Sequence, residues 1–252
     1  MKRFFNWQII LALILVALSV VFYFIHYFIF KDVHHIFLYL IGDIAFLFLD
    51  VLIVMLVLHR LLVYREKQSI RKKLNMVIGT FFSEVGTELL KICSRFDPSA
   101  SDIAQQLVVT KDWTNKDFIE VHRSVRRRKS EINSKKEPLD KVRDFLVSKR
   151  QFLLTLLENP NLLEHESFTD LLWAVFHLTD ELAHRTDFKS LPDSDYEHLA
   201  GDIKRAYHQL LVQWLDYMKH LKHDYPYLFS LAMRTNPFDT NASVEVKWRS
   251  PQ

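Results

Sequence analysis

Two long apolar runs near the N-terminus differ from the rest of the chain. The first, Trp7 to Phe30, has 24 residues without Asp, Glu, Lys or Arg, and the second, Ile36 to Leu58, has two aspartates as its only charged residues. About 20 apolar helical residues span the ~30 Å hydrocarbon core of a bilayer. The pattern predicts two transmembrane helices, about 7–30 and 36–58, which form a hairpin within residues 1–62.

Positive charges flank these two runs on one side. Lys2 and Arg3 precede the first run, Lys31 stands beside Asp32 in the connector, and six lysines and arginines follow the second run within residues 59–73. Cytoplasmic flanks carry such an excess, so we expect a multi-pass protein of the cytoplasmic membrane with both termini in the cytoplasm. The same charges are candidates for binding anionic lipid headgroups, namely Arg65, Lys67, Arg71, Lys72 and Lys73.

Asp43 and Asp50 are the charged residues inside the second run. Seven residues turn a helix by about 700°, so the two carboxyl groups share one face. In an antiparallel hairpin, His26 lies at the depth of Asp43, and Ser19 lies near Asp50. Three interpretations stay open: a proton or cation path, contacts between helices or subunits, and protonated carboxyl groups. Contacts between helices or between subunits are favoured, and conduction would require an oligomer, because two spans alone are too few to enclose a pore.

Amphipathic periodicity begins after the second run. Apolar residues recur every three or four positions, and prolines separate the periodic stretches. The pattern predicts an all-α chain, with a cytosolic helical domain over residues 63–236 and a mobile tail over 237–252. The predicted helices cover about 65–95, 101–109, 115–132, 138–158, 167–185, 193–223 and 227–233.

Composition disfavours several functional classes. Four glycines and seven prolines in 252 residues argue against turn-rich β folds and glycine-rich phosphate loops. The single cysteine, Cys93, suits a reducing compartment, and its place in an apolar stripe argues against a nucleophilic role. No Rossmann, P-loop or CxxC pattern occurs, so no cofactor is expected.

The stretch "FHLTDELAHR" has a spacing that suits a metal ion. His177, Glu181 and His184 lie on one face of a helix, and imidazole nitrogen and carboxylate oxygen are ligands of Zn²⁺ and Fe²⁺. The spacing is not a specific signature. The solvated polar face of an amphipathic helix is the simpler explanation.

A basic stretch, residues 122–143, holds nine lysines and arginines against three acidic residues. Its densest part, Arg126, Arg127 and Arg128, is a further candidate for lipid headgroups. Nucleic acid is not favoured, because aromatic residues are not interleaved with the charges and no reading motif is present. A solvated helix and loop is the leading explanation.

Three segments carry a family resemblance: "NMVIGTFFSEVGTELL" from Asn75, "NPNLLEHESFTDLLWAVFHL" from Asn159 and "YPYLFSLAMRTNPF" from Tyr225. They resemble a family of uncharacterised prokaryotic integral membrane proteins with two N-terminal transmembrane helices and a helical cytosolic domain. The resemblance implies a prokaryotic cytoplasmic membrane. It brings no activity and no functional residue to this chain.

These observations favour a membrane-anchored interaction, scaffold or sensor protein without evident catalytic activity. The expected partners are the lipid bilayer, further copies of the chain through the transmembrane helices, and an unidentified protein. An oligomeric proton or cation channel, or a transport accessory that uses Asp43 and Asp50, is the alternative. A metal-dependent enzyme built around His177 and Glu181 is the third hypothesis.

Overall fold

The structure, a computed structural model, describes residues 2–160, 162 and 165–245, without the side chains of residues 2–8, 35, 71 and 72. In these ranges every regular element is helical, so the prediction of an all-α chain is confirmed. The chain divides into two compact units, Met1–Lys67 and Gln68–Gln252.

The first unit contains helix α1, Lys2–Phe30, and the N-terminal part of helix α2, Val33–Phe81. Lys31 has a positive φ of 50° and ends α1. The Asp32 carboxylate then accepts a hydrogen bond from the His34 backbone N–H at 2.9 Å, which satisfies a free donor at the start of α2. By length and composition alone, α1 and the apolar part of α2 are suited to cross a membrane.

The second unit is a bundle around one long helix, α9, which packs against the helices α3, α5, α8 and α10. Apolar side chains from all of these helices form a continuous buried core. The helices that follow α2 are α3 Thr87–Phe96, α4 Ala100–Gln106, α5 Asn115–Arg127, α6 Leu139–Ser148, α7 Arg150–Leu157, α8 Glu166–Ala183, α9 Asp193–Asp224 and α10 Pro226–Arg234.

A π-helical turn, Phe82–Gly86, joins α2 to α3. Its geometry is stabilised at Thr87, whose backbone N–H and hydroxyl both donate to the carbonyl of Phe82, five residues earlier. The wider turn lets two consecutive phenylalanines be buried: Phe81 meets the edge of the Phe168 ring, and Phe82 stacks on Tyr217 with 5.0 Å between ring centroids. The sequence periodicity predicted an uninterrupted helix here, because a single extra residue does not alter it visibly.

Two predicted helix boundaries were wrong. The stretch 138–158 is not one helix, because the backbone leaves helical geometry at Lys149, between α6 and α7. The stretch 115–132 ends early, because Arg128 adopts an extended backbone. Its guanidinium donates to the buried carboxylate of Asp97 at 2.8 Å. This ion pair ties the end of α5 to the end of α3.

The segment after α10 folds back onto the bundle. Asn236 donates from its side-chain amide to the carbonyl of Leu107 at 2.9 Å. Phe238 is buried, and its ring meets the edge of Trp214 at 5.2 Å. Phe238 belongs to the segment 237–252 for which the sequence predicts a mobile tail, and residues 246–252 of that segment lie outside the described residues.

We expect Gly86→Ala to destabilise the protein and Gly201→Ala to stabilise it slightly. A methyl group at Gly86 would lie 2.5 Å from the buried Phe82 ring, whereas at Gly201 nothing lies within 4 Å. Overpacking costs about 1–3 kcal/mol, and replacing a helical glycine by alanine gains up to about 1 kcal/mol. Thermal unfolding of the full chain in detergent, followed by circular dichroism, measures both. Equal midpoints for the two variants would contradict the packing described at Gly86.

Candidate metal centre

Four side chains that can ligate a metal meet between α8 and α9. His177 and Glu181 are one turn apart on α8, and His198 and Asp202 are one turn apart on α9. Residues at this spacing project from the same face of a helix. The two helices run antiparallel at this point, since His177 lies close to Asp202 and Glu181 lies close to His198. Each helix therefore presents a histidine and a carboxylate to the other.

The distances between these groups are longer than most direct hydrogen bonds, and the four ligand atoms lie within 4.8 Å of one another, which lets one metal ion reach them all. The Nε2 atoms of His177 and His198 lie 3.5 and 3.4 Å from Asp202 Oδ2. They lie 3.8 and 3.6 Å from the carboxylate oxygens of Glu181. Hydrogen bonds from nitrogen to oxygen are mostly shorter, about 2.7–3.2 Å. Tetrahedral Zn²⁺ with bonds of about 2.0–2.1 Å places its ligand atoms about 3.4 Å apart.

Asp202 is the most deeply buried residue of the cluster. Its side chain is 3% exposed, whereas about half of each histidine side chain is accessible to solvent. Arg205 donates to Oδ1 at 3.0 Å, but Oδ2 is buried without a hydrogen-bond partner among the described residues. A buried carboxylate oxygen without a donor is costly unless a cation compensates it. Oδ2 is the atom that both histidines approach.

Arg185 holds the second carboxylate in place. Its Nη1 donates to Glu181 Oε2 at 2.7 Å, and its Nε and Nη2 bind both oxygens of Asp195, each at 2.7 Å. The hydrogen bond from Arg185 lowers the pKa of Glu181, and the same guanidinium lowers the pKa of Asp195. Glu181 is therefore ionised at neutral pH and held in position. Hydrogen bonds of this kind orient the carboxylate ligands of metal sites.

The structure brings together two of the three residues that the sequence singled out as metal ligands. His177 and Glu181 belong to the cluster, whereas His184 follows the last residue of α8. Its Nδ1 is 2.7 Å from the carbonyl of Asp180, so the imidazole caps the helix end. The two remaining members come from α9. The signal that could have found them is the repeated spacing, HxxxE in one helix and HxxxD in the next.

The donor set indicates which ions suit the centre. Two imidazole nitrogens and two carboxylate oxygens bind Zn²⁺, and also Fe²⁺ or Mn²⁺, whereas Ca²⁺ and Mg²⁺ prefer oxygen ligands alone. The cluster contains no thiolate to favour Cu⁺. Zn²⁺ is the best match, because four protein ligands with nitrogen and oxygen donors complete its preferred coordination number.

The intramembrane candidates lie in the first unit. His26 and Asp43 line one cavity of about 690 Å³, together with Ser19. Asp50 does not line this cavity, and the side chains of Asp43 and Asp50 are both exposed. The shared lining places His26 near Asp43, and the prediction that the two residues lie at one depth of a membrane stays a prediction. A role for the carboxylates stays a prediction.

The basic candidates on α2 and α5 differ in exposure. Arg65, Lys67, Lys73, Arg126 and Arg127 are exposed. The side chains of Arg71 and Lys72 lie outside the described residues.

Arg128 has a second role in addition to its charge. It is 16% exposed and holds the buried Asp97. Lipid binding by any of the basic candidates stays a prediction.

The described residues define a class of protein that is all-helical. It has a helical N-terminal part and a larger helical domain, which carries a cluster of histidines and carboxylates. The chain belongs to the MJ1433 family. Residues 2–62 match the model of the family's N-terminal helical domain, and residues 70–234 match that of its C-terminal helical domain. The resemblance to an uncharacterised family with two helical parts is confirmed.

One relative matches almost the whole chain. The uncharacterized protein MJ1433 of Methanocaldococcus jannaschii is 45% identical over 239 residues, which cover 95% of this chain and 96% of that protein. No solved structure matches the chain.

We expect Cys93 to be inert in the folded protein. The thiol is fully buried, and burial raises its pKa to about 12, so the reactive thiolate is scarce near neutral pH. Alkylation by iodoacetamide at about pH 8 should be at least about a hundredfold slower in the native protein than in denaturant. Mass spectrometry of the alkylated chain measures both rates. Similar rates would contradict the burial of Cys93.

Proposed function

We propose that this protein is a membrane-anchored metal sensor, whose helical domain binds one divalent transition-metal ion, with Zn²⁺ the best match. The ligands are His177, Glu181, His198 and Asp202. The observation that carries the proposal is the buried Oδ2 of Asp202, which lacks a hydrogen-bond donor in the described chain and faces two histidine nitrogens at 3.4 and 3.5 Å. A bound cation compensates the charge that the fold buries there.

The ligand set favours a sensor over an enzyme. Four protein ligands complete a tetrahedral zinc site, whereas catalytic zinc sites keep one position for water. The ligands also come in equal numbers from two helices, two from α8 and two from α9. Metal binding therefore clamps these helices together. Such a clamp changes the surface that the domain offers to a partner protein.

Three features support anchoring in a membrane. The first unit offers α1 and the apolar part of α2, both long and apolar enough to span a bilayer. Their apolar side chains are exposed over most of their length, and exposed apolar surface of this extent requires a non-aqueous cover. Lysines and arginines are concentrated before the first apolar run and after the second, and the connector between the runs holds only Lys31. Under this proposal the connector Lys31–Asp32 faces outward and the bundle faces the cytoplasm.

Ion conduction is the second candidate function. The cavity lined by His26 and Asp43 favours it, because ionisable residues inside membrane helices commonly mark proton and ion paths. Two spans cannot enclose a pore, so conduction requires a homo-oligomer in which several copies of α1 and α2 surround the path.

We expect one zinc ion per chain in the purified full-length protein, because four ligands converge on one point. His177→Ala combined with His198→Ala should remove the metal, and His184→Ala should retain it, because His184 caps α8. Inductively coupled plasma mass spectrometry after dialysis measures the stoichiometry.

Bound Co²⁺ should also quench the fluorescence of Trp173, which shares a cavity with His177. The variant Trp173→Phe should lack that change in fluorescence.

Two outcomes would contradict metal binding. One is the absence of stoichiometric metal after reconstitution of the wild-type chain with Zn²⁺, Fe²⁺ and Mn²⁺ in turn. The other is equal metal content in the double histidine variant and in His184→Ala.

We expect the connector to face away from the cytoplasm. In a Cys93→Ala background, His34→Cys should react with a membrane-impermeant maleimide on intact bacterial cells expressing the protein. Ser101→Cys, exposed at the start of α4, should react only after the cells are permeabilised. The reverse labelling pattern would contradict the proposed orientation, and labelling of both residues in intact cells would contradict membrane insertion.

A further inference from the structure

A second cavity, of about 470 Å³, lies between α4 and α5 and is distinct from the metal centre. Three arginines, Arg123, Arg127 and Arg128, line it. Its remaining polar lining comes from Ser124, Gln106 and Glu120.

Two of these arginines have no acidic partner. Arg123 and Arg127 are one turn apart on α5 and therefore share a face. Both are exposed, and neither forms an ion pair with any residue that the structure describes. Nearby carboxylates do not balance the charge: Glu120 lines the cavity, and Asp97 is paired with Arg128. Three guanidinium groups thus stand against two carboxylates.

The guanidinium of the third arginine, Arg128, is held by hydrogen bonds from one nitrogen, and a second nitrogen has no partner among the described residues. Arg128 Nη2 donates to Asp97 Oδ2 at 2.8 Å and to the carbonyl of Ser99 at 2.7 Å. Its Nε is buried and has no hydrogen-bond partner among the described residues. A ligand in the cavity therefore meets Arg128 through the part of its side chain that lines the cavity, and the charge of the guanidinium favours an anionic acceptor there. Asp97 and Ser99 fix the position of the group, and neither of them lines the cavity.

Polar groups around the arginines can complete such a site. Ser124 Oγ is 3.0 Å from the side-chain oxygen of Gln106, which leaves the amide NH₂ of Gln106 as a donor. Guanidinium groups match the oxygens of phosphate in paired hydrogen bonds. Several guanidinium groups around one centre suit a tetrahedral group with three free oxygens better than a planar carboxylate.

We propose that the cavity between α4 and α5 binds a phosphomonoester or free phosphate group through Arg123, Arg127 and Arg128. The phosphate chemistry is common to a small soluble ligand and to a phosphatidic acid headgroup. The site does not depend on the metal centre, because none of its residues belongs to the α8 and α9 cluster.

Calorimetric titration tests this proposal with the full chain in nanodiscs of phosphatidylcholine, after removal of metal with a chelator. The first probe is inorganic phosphate, with sulfate as the competing anion. The second compares nanodiscs that contain phosphatidic acid with nanodiscs that contain phosphatidylserine at equal charge. In the second arm the bound lipid is counted by mass spectrometry of the purified particles.

We expect Arg123→Ala with Arg127→Ala to weaken phosphate binding by about tenfold or more, because each charge-assisted hydrogen bond contributes about one factor of ten. The matched control, Lys116→Ala with Lys129→Ala, removes the same charge from exposed positions that do not line the cavity. Its affinity should stay close to wild type. Arg123→Lys with Arg127→Lys keeps the charge but loses the paired geometry, so its affinity should be intermediate.

Binding in either arm supports the proposal and identifies the source of the phosphate: free phosphate alone indicates a soluble ligand, and selective retention of phosphatidic acid indicates a headgroup. The absence of binding in both arms would overturn it. Equal losses in the cavity variant and in its matched control would also overturn it, because they indicate only general attraction of anions to a basic surface.

Discussion

The burial of the Asp202 carboxylate is the constraint on which the proposed metal centre depends. Its side chain is 3% exposed, and one oxygen has a donor in Arg205 while the other has none in the described chain. Arg205 compensates part of the charge, and the buried oxygen without a donor remains costly for a marginally stable domain. The nearest groups are two histidines, whose nitrogens serve either as donors when protonated or as metal ligands when neutral. Distances longer than most direct hydrogen bonds favour the second role.

The long helix α9 lies between the two candidate sites of the bundle. It supplies His198 and Asp202 to the proposed metal centre, and it packs against α5, the helix that carries the arginines of the proposed phosphate cavity. The same helix thus contacts both α8 and α5. In the proposed sensor, one domain would carry both the proposed metal site and the proposed phosphate site.

The sequence predicted the class of fold well and the site only in part. Periodicity and prolines located the helices, because both depend on local properties of the chain. The helical wheel placed His177 and Glu181 on a polar face, but it does not reveal which helix that face meets. His198 is 21 residues further along, so only the packed bundle identifies it as the partner. The Asp97–Arg128 pair escaped prediction for the same reason, and the prediction for His184 did not anticipate its role as a cap.

X-ray absorption spectroscopy at the zinc edge of the purified full-length protein tests the central claim most directly. The account predicts four nitrogen and oxygen ligands at about 2.0 Å, with the multiple-scattering features of two imidazoles. Asp202→Asn should change this first shell. A spectrum of six oxygen ligands without imidazole features, or one that Asp202→Asn leaves unchanged, would contradict the claim.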